Sequence, residues 1–287
     1  MLETATIIED YGRRFVIKTD NGLLLPANTR QKRTDFVCGD RVHFQQINDN
    51  QAVIEDYLPR QSLLFRQDTK RTKLLAANVT QVFIVTAILP EPNLDLIQRT
   101  LLATIAANIQ PYIIINKMDL AEKSILEIEK FYTQQLKVPV IKTAAINNDI
   151  ADLRQKMQGH CNILVGQSGV GKSQLTNAIL GDNQAKTGDI SFNEKGKHTT
   201  TFSKLYFIDK NTSFMDTPGI QSFGLNHLKI DDILLHFSDM NHLIGQCRFH
   251  NCRHLEEPDC AIKNAAQNGE ITNERLLFLQ KIIREKI

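Results

Sequence analysis

Two stretches of this chain carry residue types suited to holding a nucleotide. The first in chemical logic is Gly166-Gln167-Ser168-Gly169-Val170-Gly171-Lys172-Ser173, followed by Gln174. Glycines at these positions let backbone N–H groups turn inward around phosphates, and a helix opening here adds the partial positive charge of its N-terminus. Lys172 would bridge the two outer phosphates of a nucleoside triphosphate, and Ser173 would ligate magnesium. The second stretch is Asn116-Lys117-Met118-Asp119. Asp119 can accept hydrogen bonds from the N1–H and exocyclic amine of guanine. Adenine presents an acceptor at N1 and no amine, so it leaves the carboxylate unmatched, which selects guanine. The Lys117 stem would lie against the base and Asn116 would tie the loop to its neighbours. After the next expected strand, Thr143-Ala144-Ala145 is either a support for the other edge of the guanine or a plain strand end.

Two further stretches have the chemistry of γ-phosphate sensors. Asp216-Thr217-Pro218-Gly219 follows an expected strand; Asp216 would hold the magnesium shell through water, and the Gly219 N–H would meet the γ-phosphate. Gly196-Lys197-His198-Thr199-Thr200-Thr201 offers a threonine to magnesium, with Thr200 chosen over Thr199. Loops held by a γ-phosphate and released on hydrolysis form a switch. After Gly219, where a water-orienting glutamine is common in GTPases of the Ras type, stands Ile220, and Gln221 comes one residue late. An isoleucine cannot orient water, so hydrolysis calls for another group or a supplied partner. His198 is the nearest proton acceptor and is either that base or a solvated loop histidine.

Cys247, Cys252, His254 and Cys260 follow the spacing C-x4-C-x-H-x5-C. Three thiolates and one imidazole make a closed, structural zinc set with no position left for water. His250 is the alternative nitrogen donor. Cys38 and Cys161 lie in strand-like segments and read as buried small apolar residues.

These groups need elements to position them. Five short strands are expected at 4–8, 14–19, 23–26, 41–46 and 52–57, separated by turn residues such as Asp20-Asn21-Gly22. They imply a small barrel over residues 1–65, either of the oligonucleotide-binding type or SH3-like. Residues 58–80 read as a connector, its 66–80 part a basic linker, in which Arg60, Arg66, Lys70, Arg71 and Lys73 face only Asp68. From 81 to 221 strands and helices alternate: strand 82–86, helix 94–108, strand 112–115, helix 121–136, strand 138–142, strand–loop–helix 162–180 stopped by Gly181, then strands 202–208 and 213–215. This alternation predicts a mostly parallel sheet with helices on both faces. Residues 222–287 read as helical, ending in a helix over 273–286 with apolar residues on one side. The fold class is therefore multidomain, α/β and β.

The 287 residues carry a net charge of +2, which gives no global attraction to nucleic acid. The longest apolar run, 82–89, is too short to span a bilayer, and the first residues hold no leader-like apolar run. A cytoplasmic monomer without membrane association is expected.

In an ordinary GTP-binding domain the phosphate loop precedes the base-reading motif; here it follows. With that order, the barrel, GKHTTT, DTPG and the Cys/His cluster, nearly the whole chain resembles the circularly permuted, ribosome small-subunit-dependent GTPases of bacteria. The resemblance implies an oligonucleotide-binding barrel, a permuted GTPase domain and a zinc domain. It also implies GTP hydrolysis to GDP stimulated by the 30S ribosomal subunit, contact with 16S rRNA, and a role in late small-subunit maturation. A different class of function is an RNA-binding module in which GTP is a structural or slowly hydrolysed ligand.

Overall fold

The computed structural model describes residues 3–12, 14–30, 35–67, 72–120, 125–181, 202–217, 220 and 223–287. The five N-terminal strands form: β1 (Glu3–Asp10), β2 (Phe15–Thr19), β3 (Leu24–Thr29), β4 (Arg41–Asn48) and β5 (Gln51–Tyr57). Each sends a pair of residues two positions apart into one core: Ala5 and Ile7, Phe15 and Ile17, Leu25 and Ala27, Val42 and Phe44, Ala52 and Ile54. That is the period of a strand with one buried face. The strands close in the order β1-β2-β3-β5-β4-β1, with β3 parallel to β5 and the other pairings antiparallel. This topology is that of an oligonucleotide-binding barrel and decides between the two barrel types.

The connector is more regular than its composition implies. β6 (Leu63–Gln67) and β7 (Thr72–Ala77) form an antiparallel hairpin, with Leu64, Ala76 and Ala77 buried. Ala77 N donates to Cys38 O at 3.0 Å, which seats the hairpin under the barrel. Its charged tip, including Asp68, Lys70 and Arg71, lies outside the described residues.

The second sheet contains β8 (Gln81–Ala87), β9 (Gln110–Asn116), β10 (Val140–Lys142), β11 (Cys161–Gly166), β12 (Ser203–Phe207) and β13 (Ser213–Asp216). Their order is β10-β9-β8-β11-β13-β12, parallel except for β12. Alternate residues of β8 face opposite layers. Val82 and Ile84 join the core under α1 (Leu94–Ala106), while Phe83 and Val85 pack with Leu153 of α3 (Ala151–Met157) and Leu175 of α4 (Lys172–Leu180). The chain leaves β8 toward β9 and β10 on one side, and leaves β11 toward β13 and β12 on the other. Ligands of open parallel sheets bind at such a reversal, beyond the carboxyl ends of the strands. Two local departures from expectation occur. Helix 121–136 appears as α2 (Ile125–Lys130) followed by a π-helical turn over Phe131–Gln135, with 121–124 outside the described residues. Helix α3, not foreseen, is seven residues long and buries only Leu153 and Met157.

The two sheets are joined. Edge strand β12 pairs with β1 through Glu9↔Lys204 and Asp10↔Ser203, giving one eleven-stranded sheet. Lys204 Nζ lies 2.8 Å from Glu9 Oε1, and the Tyr11 and Phe202 rings meet at a tilt of 32° with centroids 4.3 Å apart.

The C-terminal helices α5 (Ile230–Leu235), α6 (Ala261–Gln267) and α7 (Asn273–Lys286) share the core under α1. Helix α7 is fastened to α1 by Arg99–Glu285 at 2.6 Å, Lys281–Asp95 at 2.7 Å, and the buried Arg275, which pairs with Asp239 and donates to Gln98 Oε1 at 2.5 Å. Among the described residues no helix is long and apolar enough to cross a membrane.

Candidate guanine-nucleotide site and metal centre

Four loops leave the carboxyl ends of neighbouring parallel strands on one edge of the sheet. The base-reading motif follows β9, the phosphate loop follows β11, Asp216 ends β13, and residues 88–93 follow β8. Because the site is assembled from strand ends, the order of its pieces along the chain is immaterial to its geometry.

Asn116 is the hub. Its side chain is buried; Nδ2 donates to Val170 O at 3.0 Å, while Oδ1 accepts from Thr143 Oγ1 at 2.9 Å and from Ala145 N at 3.2 Å. One amide thus ties the base reader, the phosphate loop and the Thr143-Ala144-Ala145 turn together. Met118 N donates to Thr143 O at 3.1 Å, and the Met118 side chain packs against the core rather than into the cleft. Lys117 sits in the left-handed region with φ of +64° and sends Nζ to Leu89 O at 2.8 Å. Asp119 is exposed and lines a cleft of about 420 Å³ with Asn116, Lys117, Ala145, Ile146 and Gln174. That cleft joins the base reader to Gly169 of the phosphate loop.

The phosphate loop uses its glycines for two separate reasons. Gly166 lies against β8, where an added Cβ would come closer than 3.0 Å to Val85 O. Gly171 has φ of +94° and its missing Cβ would press on Asn116 Nδ2. Val170 is buried in the core with α4, whereas Ser168 and Gly169 are exposed. Gln167 sends its side chain to the loop after β8, where it bonds Glu91 O and Asn93 N. Lys172 Nζ donates to Gly166 O and Gln167 O, both at 2.6 Å. Burial pulls the Lys172 ammonium below its usual pKa, which a bound phosphate would reverse. Ser173 is exposed in the first turn of α4.

Asp216 is half-buried, and desolvation raises its carboxyl above the usual range while the Thr217 backbone N–H offsets this in part. No salt bridge involves it among the described residues. An acid held in that state at a strand end is one that a bound divalent cation would ionise. His198, Thr199, Thr200, Gly219 and Gln221 lie outside the described residues. Ile220 is buried in the α1-side core, 4% exposed.

The Cys/His set comes together as spaced. The donor atoms of Cys247, Cys252, His254 and Cys260 all lie within 4.8 Å of one another. Cys247 Sγ to Cys260 Sγ is 3.8 Å, and His254 Nδ1 is 3.5, 3.7 and 3.3 Å from the sulfurs of Cys247, Cys252 and Cys260. A tetrahedron with zinc–sulfur bonds of about 2.3 Å has edges of about 3.8 Å, so these separations fit zinc. His254, buried with φ of +61°, is the nitrogen donor in the cluster, and His250 is not part of it. Ala261 N points at Cys247 Sγ at 3.4 Å, and Glu257 accepts from Arg253 N and Leu255 N, holding the ligand loop. Burial and the neighbouring sulfurs push the Cys252 thiol up to about 12, and a bound cation would favour the thiolate. Cys38 is buried and donates to Ile8 O, while Cys161 is half-buried in β11.

What the motifs could not announce is the 88–93 loop and the reach of Gln167 into it. The available signal was Asn93, whose side chain caps α1 by accepting from Leu96 N at 3.1 Å.

Comparison with known proteins gives one family. The RsgA GTPase family model matches residues 57–226. The small ribosomal subunit biogenesis GTPase RsgA of Neisseria meningitidis serogroup B is 53% identical over 286 residues, covering 99% of this chain and 93% of that protein. Its counterpart in Nitrosospira multiformis is 39% identical, covering 96% and 89%. The crystal structure of YjeQ from Thermotoga maritima superposes with a TM-score of 0.76 at 27% identity, covering 100% and 99%. The structure of YloQ, described as a circularly permuted GTPase, shares the fold with a TM-score of 0.73 at 23% identity, covering 100% and 95%. With its base reader ahead of its phosphate loop on a shared sheet edge, this chain belongs to the RsgA GTPase family.

Proposed function

We propose that this chain is a GTP hydrolase that acts on the small ribosomal subunit during its late maturation, in the cytoplasm and as a monomer. The observation that carries the reading is the Asn116 hub, which bonds a guanine-reading loop to a phosphate loop at the reversal point of a parallel sheet. Asp119 selects guanine, the Lys117 stem covers the base, and the loop amides of 166–171 with Lys172 surround the phosphates. Ser173, Asp216 and Thr200 would hold Mg²⁺, which when bound neutralises charge on the outer phosphates. Water attacks the γ-phosphate in line, and developing charge is met by Lys172 and the loop N–H groups. His198 is the proposed proton acceptor and Gly219 the γ-phosphate sensor. With Ile220 turned into the core, intrinsic turnover is slow and an activator from the ribosome supplies the missing alignment.

The cysteine and histidine ligands hold one structural zinc. On that loop Phe249 is 41% exposed with the Arg248 guanidinium 5.5 Å from its ring, a pairing suited to unpaired bases of 16S rRNA. The working division is a barrel over 1–65, a linker over 66–80 that includes hairpin strands, a GTPase domain over 81–221 and a zinc domain over 222–287.

The permuted order places both arms next to switch segments. Strand β12, which follows 182–201, pairs with the barrel. Residues 223–228, which follow the second switch, are held by Gly224 N to Phe65 O at 2.9 Å and by Lys286 Nζ to Leu225 O and Leu228 O at 2.6 and 2.7 Å. Nucleotide state thereby reaches both ribosome-binding arms.

The test is base preference. Asp119→Asn replaces an acceptor with a donor suited to the xanthine 2-oxo group, so the variant should prefer xanthosine over guanosine nucleotides. An unchanged preference would remove the guanine assignment.

A further inference from the structure

Residues 88–93 belong to no nucleotide-binding motif, yet they are bonded to both halves of the site. Lys117 Nζ donates to Leu89 O at 2.8 Å. Gln167 Nε2 donates to Glu91 O, and Asn93 N donates to Gln167 Oε1, each at 2.9 Å. Pro90 lies 3.6 Å from the position a Cβ on Gly169 would take. The far end of the loop is not free, because Asn93 also caps α1.

We infer that 88–93 is a strap across the nucleotide site and that Gln167 is a positioning residue for guanine-nucleotide binding, acting through Lys117. The inference rests on the guanine-nucleotide reading above. A four-carbon lysine stem is flexible and loses its packing surface on the base unless its ammonium is anchored. The anchor here is the Leu89 carbonyl, and the position of that carbonyl depends on the strap. Between its ends the strap is held by the Gln167 amide, which donates to a carbonyl and accepts from an N–H at once. A carboxylate lacks the donor, and an apolar side chain lacks both. Both side-chain polar atoms of Gln167 thus go to the strap that carries Lys117's anchor.

The experiment is a double-mutant cycle on affinity for fluorescent methylanthraniloyl-GDP with Mg²⁺, using the full chain. Gln167→Met keeps the length of the side chain and removes both bonds, so GDP should bind roughly tenfold more weakly, with KM for GTP rising in parallel. In a Lys117→Ala background the same change should cost less than about twofold, because the group being positioned is gone. If Gln167→Met binds GDP within twofold of wild type, or if the two losses multiply, the inference is overturned. Gln167→Ala repeats the cycle should the methionine variant melt early. If the wild-type chain itself fails to bind GDP, the site reading falls and takes the inference with it.

Discussion

Gly171→Ala should damage this protein more than the same change two residues earlier, although both glycines have similar backbones. Gly169 has φ of +84° and Gly171 has φ of +94°, so alanine at either position carries the left-handed penalty of about 1–2 kcal/mol. The surroundings differ. A Cβ on Gly169 meets only Pro90 at 3.6 Å, an ordinary contact, whereas a Cβ on Gly171 comes closer than 3.0 Å to Asn116 Nδ2. Asn116 is 1% exposed and holds three hydrogen bonds, so it cannot move aside without releasing Val170 O, Thr143 Oγ1 or Ala145 N. Leaving one such buried group unpaired adds about 1–3 kcal/mol. Gly171→Ala should therefore lose about 2–5 kcal/mol of stability against about 1–2 for Gly169→Ala. Urea unfolding followed by circular dichroism measures the difference, and GDP titration should show roughly a hundredfold weaker binding for Gly171→Ala. Equal losses for the two variants would refute the claim that Asn116 is the point where the loops are tied.

Four other outcomes follow from the same geometry. Lys172→Ala should abolish GTP hydrolysis with the melting temperature little changed; retained turnover would remove the phosphate-loop assignment. Lys172 also sets a pH dependence, since burial lowers its pKa from 10.5 in the free protein and bound phosphate raises it again. Nucleotide binding should take up protons in the alkaline window between those two values, with affinity full below the free-protein pKa and falling as pH rises through the bound one; calorimetry in buffers of different ionisation enthalpy reads the proton count. Cys260→Ala and His254→Ala should purify without zinc, while His250→Ala should retain one equivalent, measured by metal analysis; loss of zinc from His250→Ala would reassign the nitrogen donor. Lys286→Ala frees the carbonyls of Leu225 and Leu228, and should narrow the difference in 30S affinity between GTP- and GDP-bound protein. An undiminished difference in a sedimentation assay would argue against coupling through 223–228.

The barrel was legible because its strands obey a period of two, each giving the core one pair such as Ile7 with Ala5 or Phe44 with Val42. The hairpin over 63–77 was hidden because charged residues crowd its tip and its seating depends on partners remote in sequence, Cys38 O and Gly224 N. Helix α3 was missed since seven residues with two buried positions barely establish a helical period. In the site, residue types carried the expectation for each loop: Asp119 to read a base edge, Lys172 to meet phosphate, three cysteines and a histidine to take a metal. Spacing did not tell how the loops are tied. The bond from Asn116 to Val170 spans 54 residues, and the partners of Gln167 lie 74 and 76 residues away. Such contacts arise only when strand order in the sheet is known.

We propose that this permuted site hydrolyses GTP under control of the small ribosomal subunit. The most direct measurement is phosphate release from GTP by the purified chain alone, with 30S subunits, and with 50S subunits as control. Slow turnover alone and strong acceleration by 30S but not 50S is the predicted result, with the subunit supplying what the buried Ile220 cannot. Tight GTP binding with no acceleration by 30S would rule out control by the subunit and favour a module in which the nucleotide is a structural ligand.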